Sequence, residues 1–144
     1  MGLTDLFEVP GDYASTFLEI LDDYQDIRRI PNINELGTGY AADGYGRFKG
    51  VAACSVQYGV GTFSILNCFA GSLVERVPMV LIGPSPSNDD VRLARTEGIL
   101  FHHSTGNPRA DQLAMDVATV ASVEVADPAR APEQIDEALT AMLT

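Results

Sequence analysis

Basic residues are scarce in this chain: nine Lys plus Arg stand against twenty Asp plus Glu, a formal net charge of −11 over 144 residues. Polyanions are held by clustered cations, so a nucleic-acid partner is excluded at the outset. Cysteine is sparse as well. Cys54 and Cys68 lie in apolar surroundings with no Cys-x-x-Cys pair and no histidine at zinc-ligand spacing, which predicts buried reduced thiols in a reducing, cytoplasmic setting. Long hydrophobic runs are missing too. None exceeds the length of Met79 to Ile82, far too short to span a bilayer, and Met1-Gly2-Leu3-Thr4-Asp5 has neither the basic nor the apolar region of a secretory leader. No membrane role is expected.

What is present describes one globular domain over 1–144. Hydrophobic residues make up 46% of the chain and thirteen glycines are spread along it, a composition unlike that of disordered or fibrous proteins. A chain of this length buries about 68–70% of its unfolded surface. The acids Glu19, Asp22, Asp23 and Asp26 read as a solvated helix end with no chemistry of their own.

Short β-branched runs alternate with helical periods. A strand near Leu6 to Val9 is ended by Pro10 and Gly11, and Phe17, Ile20, Leu21 and Tyr24 then recur at helical spacing as a stripe packed on one face. Arg28 to Ile33 reads as a second strand. Glu35 to Arg47 has helical period yet holds Gly37, Gly39, Gly44 and Gly46; each costs about 0.5–1 kcal/mol relative to Ala in a helix interior, so close approach by a backbone or a ligand is the reason to look for. A loose, partly non-helical segment is the alternative. Val51 to Val56 is a third strand, followed by a helix through Phe63, Leu66, Phe69, Leu73 and Val74, and Met79 to Ile82 is a fourth strand. A long irregular stretch to Asp111 holds one short helix near Val91 to Glu97. Val117 to Val125 has strand composition, and a last helix starts at Pro132 with Ile135, Ala138, Leu139 and Met142 on one stripe.

Repeated β-α units imply an α/β fold, a parallel sheet with helices on both faces, and ligands in such folds meet the loops beyond the carboxyl ends of the strands. Those loops carry Pro10-Gly11-Asp12, Asn34-Glu35, Gln57-Tyr58-Gly59 and the segment with His102 and His103. Glu35, at a strand-to-helix junction, either caps the helix or faces a ligand. Asp12 by itself reads as a turn or cap residue. The histidines are adjacent, so their side chains point different ways and at most one need face a site; no third or fourth ligand stands nearby in sequence, and a metal is not expected there.

Taken in order, several stretches resemble one family over nearly the whole chain. They are Val9-Pro10-Gly11-Asp12-Tyr13; Asn34-Glu35-Leu36 with Tyr40-Ala41-Ala42-Asp43-Gly44-Tyr45-Gly46-Arg47; Tyr58-Gly59-Val60-Gly61 with Ser64 and Asn67; Glu75-Arg76-Val77-Pro78; and Leu100 to Asn107 around the histidine pair. The chain is similar to the N-terminal pyrimidine-binding (PYR) domain of thiamine-diphosphate-dependent pyruvate and indolepyruvate decarboxylases.

The resemblance implies that Glu35 hydrogen-bonds N1′ of the cofactor's aminopyrimidine, favouring the imino form whose 4′-nitrogen removes the thiazolium C2 proton. A carboxylate in a mostly apolar cleft titrates high enough to share a proton with a weakly basic ring nitrogen. By the same resemblance Asp12, His102 and His103 surround the reacting carbon of a 2-oxo acid, Pro10, Gln57 and Tyr58 line the cofactor pocket, and Gly59 lets the ring approach the backbone.

It also implies what is supplied from elsewhere. The family binds diphosphate and Mg2+ through a Gly-Asp-Gly motif and distal asparagines of a PP domain, and hard oxygen donors suit that ion. This sequence has no such pairing, and it lacks the family's helix before the first strand. The expectation is a split small subunit that pairs with a PP-domain subunit in an α2β2 assembly through a PYR–PYR contact along the glycine-rich helix. An acyloin-forming carboligase subunit and a non-catalytic assembly module are the alternatives.

Overall fold

In a computed structural model, residues 2–107 and 110–144 are described; Met1, on which the short lead into the first strand rests, lies outside them. Four strands, β1 (Asp5–Glu8), β2 (Arg28–Pro31), β3 (Ala52–Ser55) and β4 (Met79–Ile82), form one sheet in the order β2-β1-β3-β4. Every pairing is parallel, so each connection must cross over, and helices make the crossings. They are α1 (Ser15–Asp22), α2 (Glu35–Lys49) and α3 (Val60–Glu75), while α4 (Asn88–Glu97), α5 (Ala110–Asp116) and α6 (Ala131–Leu143) follow the last strand.

The register sorts side chains onto two faces. Ile30, Phe7, Cys54 and Leu81 lie side by side across the sheet and join the larger core with Ala42 of α2 and Ile65, Cys68 and Phe69 of α3. One residue earlier, Leu6 and Ala53 face the other way, onto Leu18 and Leu21 of α1, with Val80 beside them. Alternation on a sheet covered on both sides explains why β1 and β3 are buried at every position. The sheet is thus an α/β layer with helices on both faces.

Helix α2 runs unbroken for 15 residues despite its glycines, so the loose-segment alternative fails. Asn34 caps its start by accepting from the Gly37 amide at 2.7 Å, and Gly50, at φ 94°, closes its end. A Cβ on Gly39 would stand 2.8 Å from Cβ of Cys68 and from Cγ1 of Ile65, and one on Gly46 would stand 3.0 Å from Cγ1 of Val77. The approach these glycines permit is that of α3 and the turn after it. Asp43 ties the same pair of helices, accepting from Ser72 Oγ at 2.8 Å and from Arg47 Nε at 2.7 Å.

Four expectations need correction. Val117 to Val125 forms turns and irregular chain instead of a strand, and Val117 and Val120 are exposed, so its β-branched composition finds no packed surface of the kind that favours a strand. In α1 the buried positions are Leu18 and Leu21, while Ile20 and Tyr24 are exposed and Tyr24 falls beyond the helix end. The second strand stops at Pro31, leaving Ile33 bare. The long irregular stretch holds two helices, α4 from Asn88 and the unanticipated α5.

Beyond β4 the packing changes. Neither α4 nor α6 contains a buried residue, and a cleft of about 1260 Å3 separates elements that Val80, Ile82, Met115, Val123, Ile135 and Leu139 line. Among the described residues no helix is long and apolar enough to cross a membrane. Cys54 and Cys68 are free and buried, and burial raises both thiols, that of Cys68 to about 11.

Candidate active site

The site forms where β1 and β3 release the chain at their carboxyl ends. Gly11 lies against the Gln57 side chain so closely that a Cβ there would be 2.9 Å from Gln57 Cδ. That clearance lets Gln57, buried after β3, reach across and donate from Nε2 to Asp12 Oδ1 at 2.6 Å. The other oxygen of Asp12, Oδ2, is 2.8 Å from Nε2 of His102. This hydrogen bond to His102 holds the Asp12 carboxyl below the usual carboxylate range, against the smaller opposing pull of desolvation. Asp12 therefore reads as an anion at neutral pH that opens a short turn, its Oδ1 also accepting from the Tyr13 amide at 3.1 Å.

The histidine segment is seated on β3's exit turn by three contacts. Tyr58 donates its hydroxyl to the His102 carbonyl oxygen at 2.6 Å, and the Asp111 carboxylate of α5 accepts from the Gly59 amide at 2.7 Å. Gly59 sits at φ 67°, and a Cβ there would collide with the His103 carbonyl oxygen, so the backbone that comes close to this glycine is that of the histidine segment. Burial, then the contact with Tyr13, pushes the Tyr58 hydroxyl far up and keeps it a donor. Tyr13 packs edge-on against Tyr58 at 4.9 Å and lies 5.1 Å from the His102 ring.

Adjacent side chains normally diverge. Here His103 adopts φ 65°, in the left-handed region, and the two imidazoles lie 4.6 Å apart, centroid to centroid. Non-glycine residues hold such a conformation at a cost of about 1–3 kcal/mol, and the three anchors around Tyr58 and Gly59 supply the restraint. Both rings consequently share one side with Asp12, and one potential ligand atom from each of the three groups lies within 4.8 Å of the others. An anionic carboxylate beside two imidazoles can hold and pass protons near neutral pH.

Glu35 opens α2 half-buried, and because Asn34 does the capping, its carboxylate is left free: among the described residues it forms no hydrogen bond or ion pair. A Cβ on Gly61, in the first turn of α3, would be 3.5 Å from Glu35 Oε1 and 3.4 Å from Gln57 Cβ. Gly61 is therefore the common neighbour of Glu35 and Gln57. Among the described residues, Gln57 Oε1 is buried with no partner, as is Oε2 of Glu8, whose other oxygen pairs with Arg29 at 2.8 Å. Pro10 is exposed beside Gly11.

The sequence-based candidates Asp12, Gln57, Tyr58, Gly59, His102 and His103 are thus brought into one cluster, with Glu35 across Gly61 from Gln57. Sequence reasoning missed the positioning parts played by Tyr13, Asp111 and Gly61. Asp111 carried no signal, since its partner is a backbone amide 52 residues away.

The family model described as "Thiamine pyrophosphate enzyme, N-terminal TPP binding domain" matches residues 1–115. Among curated relatives, Pyruvate decarboxylase 1 of Arabidopsis thaliana is 40% identical over 144 residues, covering 99% of this chain and 23% of its own length. Alpha-keto-acid decarboxylase of Mycobacterium leprae (strain TN) is 44% identical over 107 residues, 74% of this chain and 18% of its own. Pyruvate decarboxylase 1 of Pisum sativum is 42% identical over 112 residues, 78% and 18% respectively. The chain spans less than a quarter of the length of these relatives.

Proposed function

This chain belongs to the thiamine pyrophosphate enzymes, whose N-terminal cofactor-binding domain it carries, and from that premise we propose that it is the pyrimidine-binding half of a 2-oxo acid decarboxylase in which Glu35 activates the cofactor. The observation that supports the reading is the pairing across Gly61. Gly61, which adds no side chain to the space, lies between the Glu35 carboxylate, unengaged among the described residues, and the Cβ of Gln57, and that carboxylate is suited to the polar edge of an aminopyrimidine. The residues present fit the cofactor's ring.

Thiamine diphosphate, when bound, supplies a carbon nucleophile for the 2-oxo carbon and accepts the electron pair left as CO2 departs. Glu35 holds the proton shared with ring N1′. Gln57 fixes Asp12 through Oδ1, leaving Oδ2 and His102 to share a proton, and His103 stands next to them to supply or receive one at the substrate oxygen or carbon. Tyr58, Gly59 and Asp111 keep the histidine segment in place.

Diphosphate and Mg2+ call for hard oxygen donors outside residues 1–144, so the working enzyme includes a PP domain, on a separate subunit in this reading. A PYR–PYR contact has a surface available: Leu36 and Tyr40 of α2 and Phe63 and Val74 of α3 are exposed, Asn67 donates to Tyr40 at 2.7 Å, and Gly44 and Gly71 have open space around them. The buried free thiols suit a cytoplasmic setting.

The test mixes this chain with a PP-domain polypeptide, thiamine diphosphate and Mg2+ and follows CO2 release from pyruvate and larger 2-oxo acids. Glu35→Gln should lower turnover by about 10²–10⁴-fold. Undiminished turnover would sink the assignment, and product analysis separates aldehyde release from acyloin formation.

A further inference from the structure

We propose that Asp12, His102 and His103 form a three-ligand site for a divalent transition-metal ion of the zinc class, with one coordination position open. Two imidazoles and one carboxylate are the donor set such ions prefer, and the ligand atoms already lie within 4.8 Å of one another. The chain folds residues 90 positions apart to make the trio, which is why ligand spacing in the sequence conceals it.

Three features favour a built site over a chance meeting of polar groups. The Asp12 carboxylate is divided: Oδ1 is fixed by the Gln57 amide, so Oδ2 is the oxygen presented to the histidines. Metal ligands are commonly oriented by such outer hydrogen bonds. The His103 backbone, in the left-handed region, turns its ring to the side of its neighbour instead of away from it. Finally, the His102 carbonyl is held by Tyr58, so the segment bearing both imidazoles is anchored from below.

Bonds of 2.0–2.1 Å in a tetrahedral zinc site set neighbouring donors about 3.3 Å apart. Asp12 Oδ2 and His102 Nε2, at 2.8 Å, need a slight opening, and the third ligand, within 4.8 Å of both, comes into place by side-chain rotation. Asp12 and His102 have side chains 63% and 58% exposed, which leaves them room to rotate on their solvent side. The ion would replace the proton they share, leaving a fourth position for water or for one carboxylate oxygen of a 2-oxo acid.

Binding is read on the chain itself with Co2+ as the probe, by visible ligand-field absorption, and with Zn2+ by competition. One equivalent of Co2+ with the strong absorption of a four- or five-coordinate ion, displaced by Zn2+ and not by Mg2+, is the expected result. Asp12→Asn, His102→Gln and His103→Asn should each weaken it at least tenfold; asparagine tolerates the left-handed backbone, and circular dichroism checks that each variant is folded. Weak binding of several equivalents, unaffected by the three substitutions, would show an ion held by surface carboxylates and overturn the proposal.

A second consequence rests on the catalytic reading above: Zn2+ should inhibit the assembled enzyme, with reversal by a chelator. One-equivalent binding without inhibition would count against that reading of the trio while leaving the metal site standing.

Discussion

The two sides of β4 are built differently. Toward the sheet interior, α2 and α3 close on each other through Gly39 and Gly46, with Ala42, Ile65 and Cys68 almost fully buried between them and the strands. Away from it, α4 and α6 bury nothing completely and border a wide cleft. The candidate site lies at the seam. Glu35, Asp12 and Gln57 come from the compact side, whereas the histidines sit on the segment leading to the looser one and are held there by Tyr58, Gly59 and Asp111. Positional precision is thus supplied by one half, and the other half is attached at few points.

The largest test of that contrast is Gly59→Ala. The added Cβ meets the His103 carbonyl, and φ 67° is strained for alanine, so stability should fall by about 1–2 kcal/mol. Turnover of the assembled enzyme should fall by about a hundredfold, as misplacement of the histidines by an ångström predicts. Full turnover would show that the segment is seated by something else. On the compact side, Gly39→Val should reduce stability by roughly 1–3 kcal/mol in urea unfolding through contact with Cys68 and Ile65, whereas valine at Gly44, with open space around it, should cost only its lower helix propensity relative to alanine, offset by relief of the glycine.

A smaller effect is expected at Asp5, which joins β1 to α2 and β2 by accepting from Tyr45 Oη at 2.6 Å and Arg28 Nε at 2.7 Å. The Tyr45 hydroxyl first, then Arg28, outweigh desolvation and hold this carboxyl below its ordinary value. Its contribution is therefore complete above the unfolded value of about 3.9 and disappears as pH falls through the folded one. Asp5→Asn should cost about 1 kcal/mol at pH 7, and the gap between variant and parent should narrow at pH 3. Smallest is Tyr58→Phe, which removes one hydroxyl bond to the His102 carbonyl: about 0.5–1.5 kcal/mol, with a several-fold loss of turnover if the anchor matters and none if Asp111 suffices.

The compact side was the more legible in the sequence. Its four strands fall at the short runs the sequence marks, near Leu6 to Val9, Arg28 to Ile33, Val51 to Val56 and Met79 to Ile82. The glycines of α2 announced a close approach, though periodicity carries no identity for the approaching partner, which for Gly39 and Gly46 is α3 and the turn that follows it. The looser side was misread where composition stood in for neighbours. Val117 to Val125 has strand residues yet stays irregular with Val117 and Val120 exposed, and Ile20 has a helical position that the fold leaves exposed. Motif resemblance named Glu35, Asp12 and both histidines; it did not give the division of Asp12 between Gln57 and His102, which depends on contacts across 45 and 90 residues.

Position 103 illustrates how a backbone angle can set the evolutionary latitude of a side chain. At φ 65° the polypeptide there accepts glycine or asparagine with least strain, whereas the proton-transfer role proposed for His103 asks for imidazole. A saturation library at that codon should split into two winners, one ranked by thermal survival and the other by product formed, and histidine should head only the second.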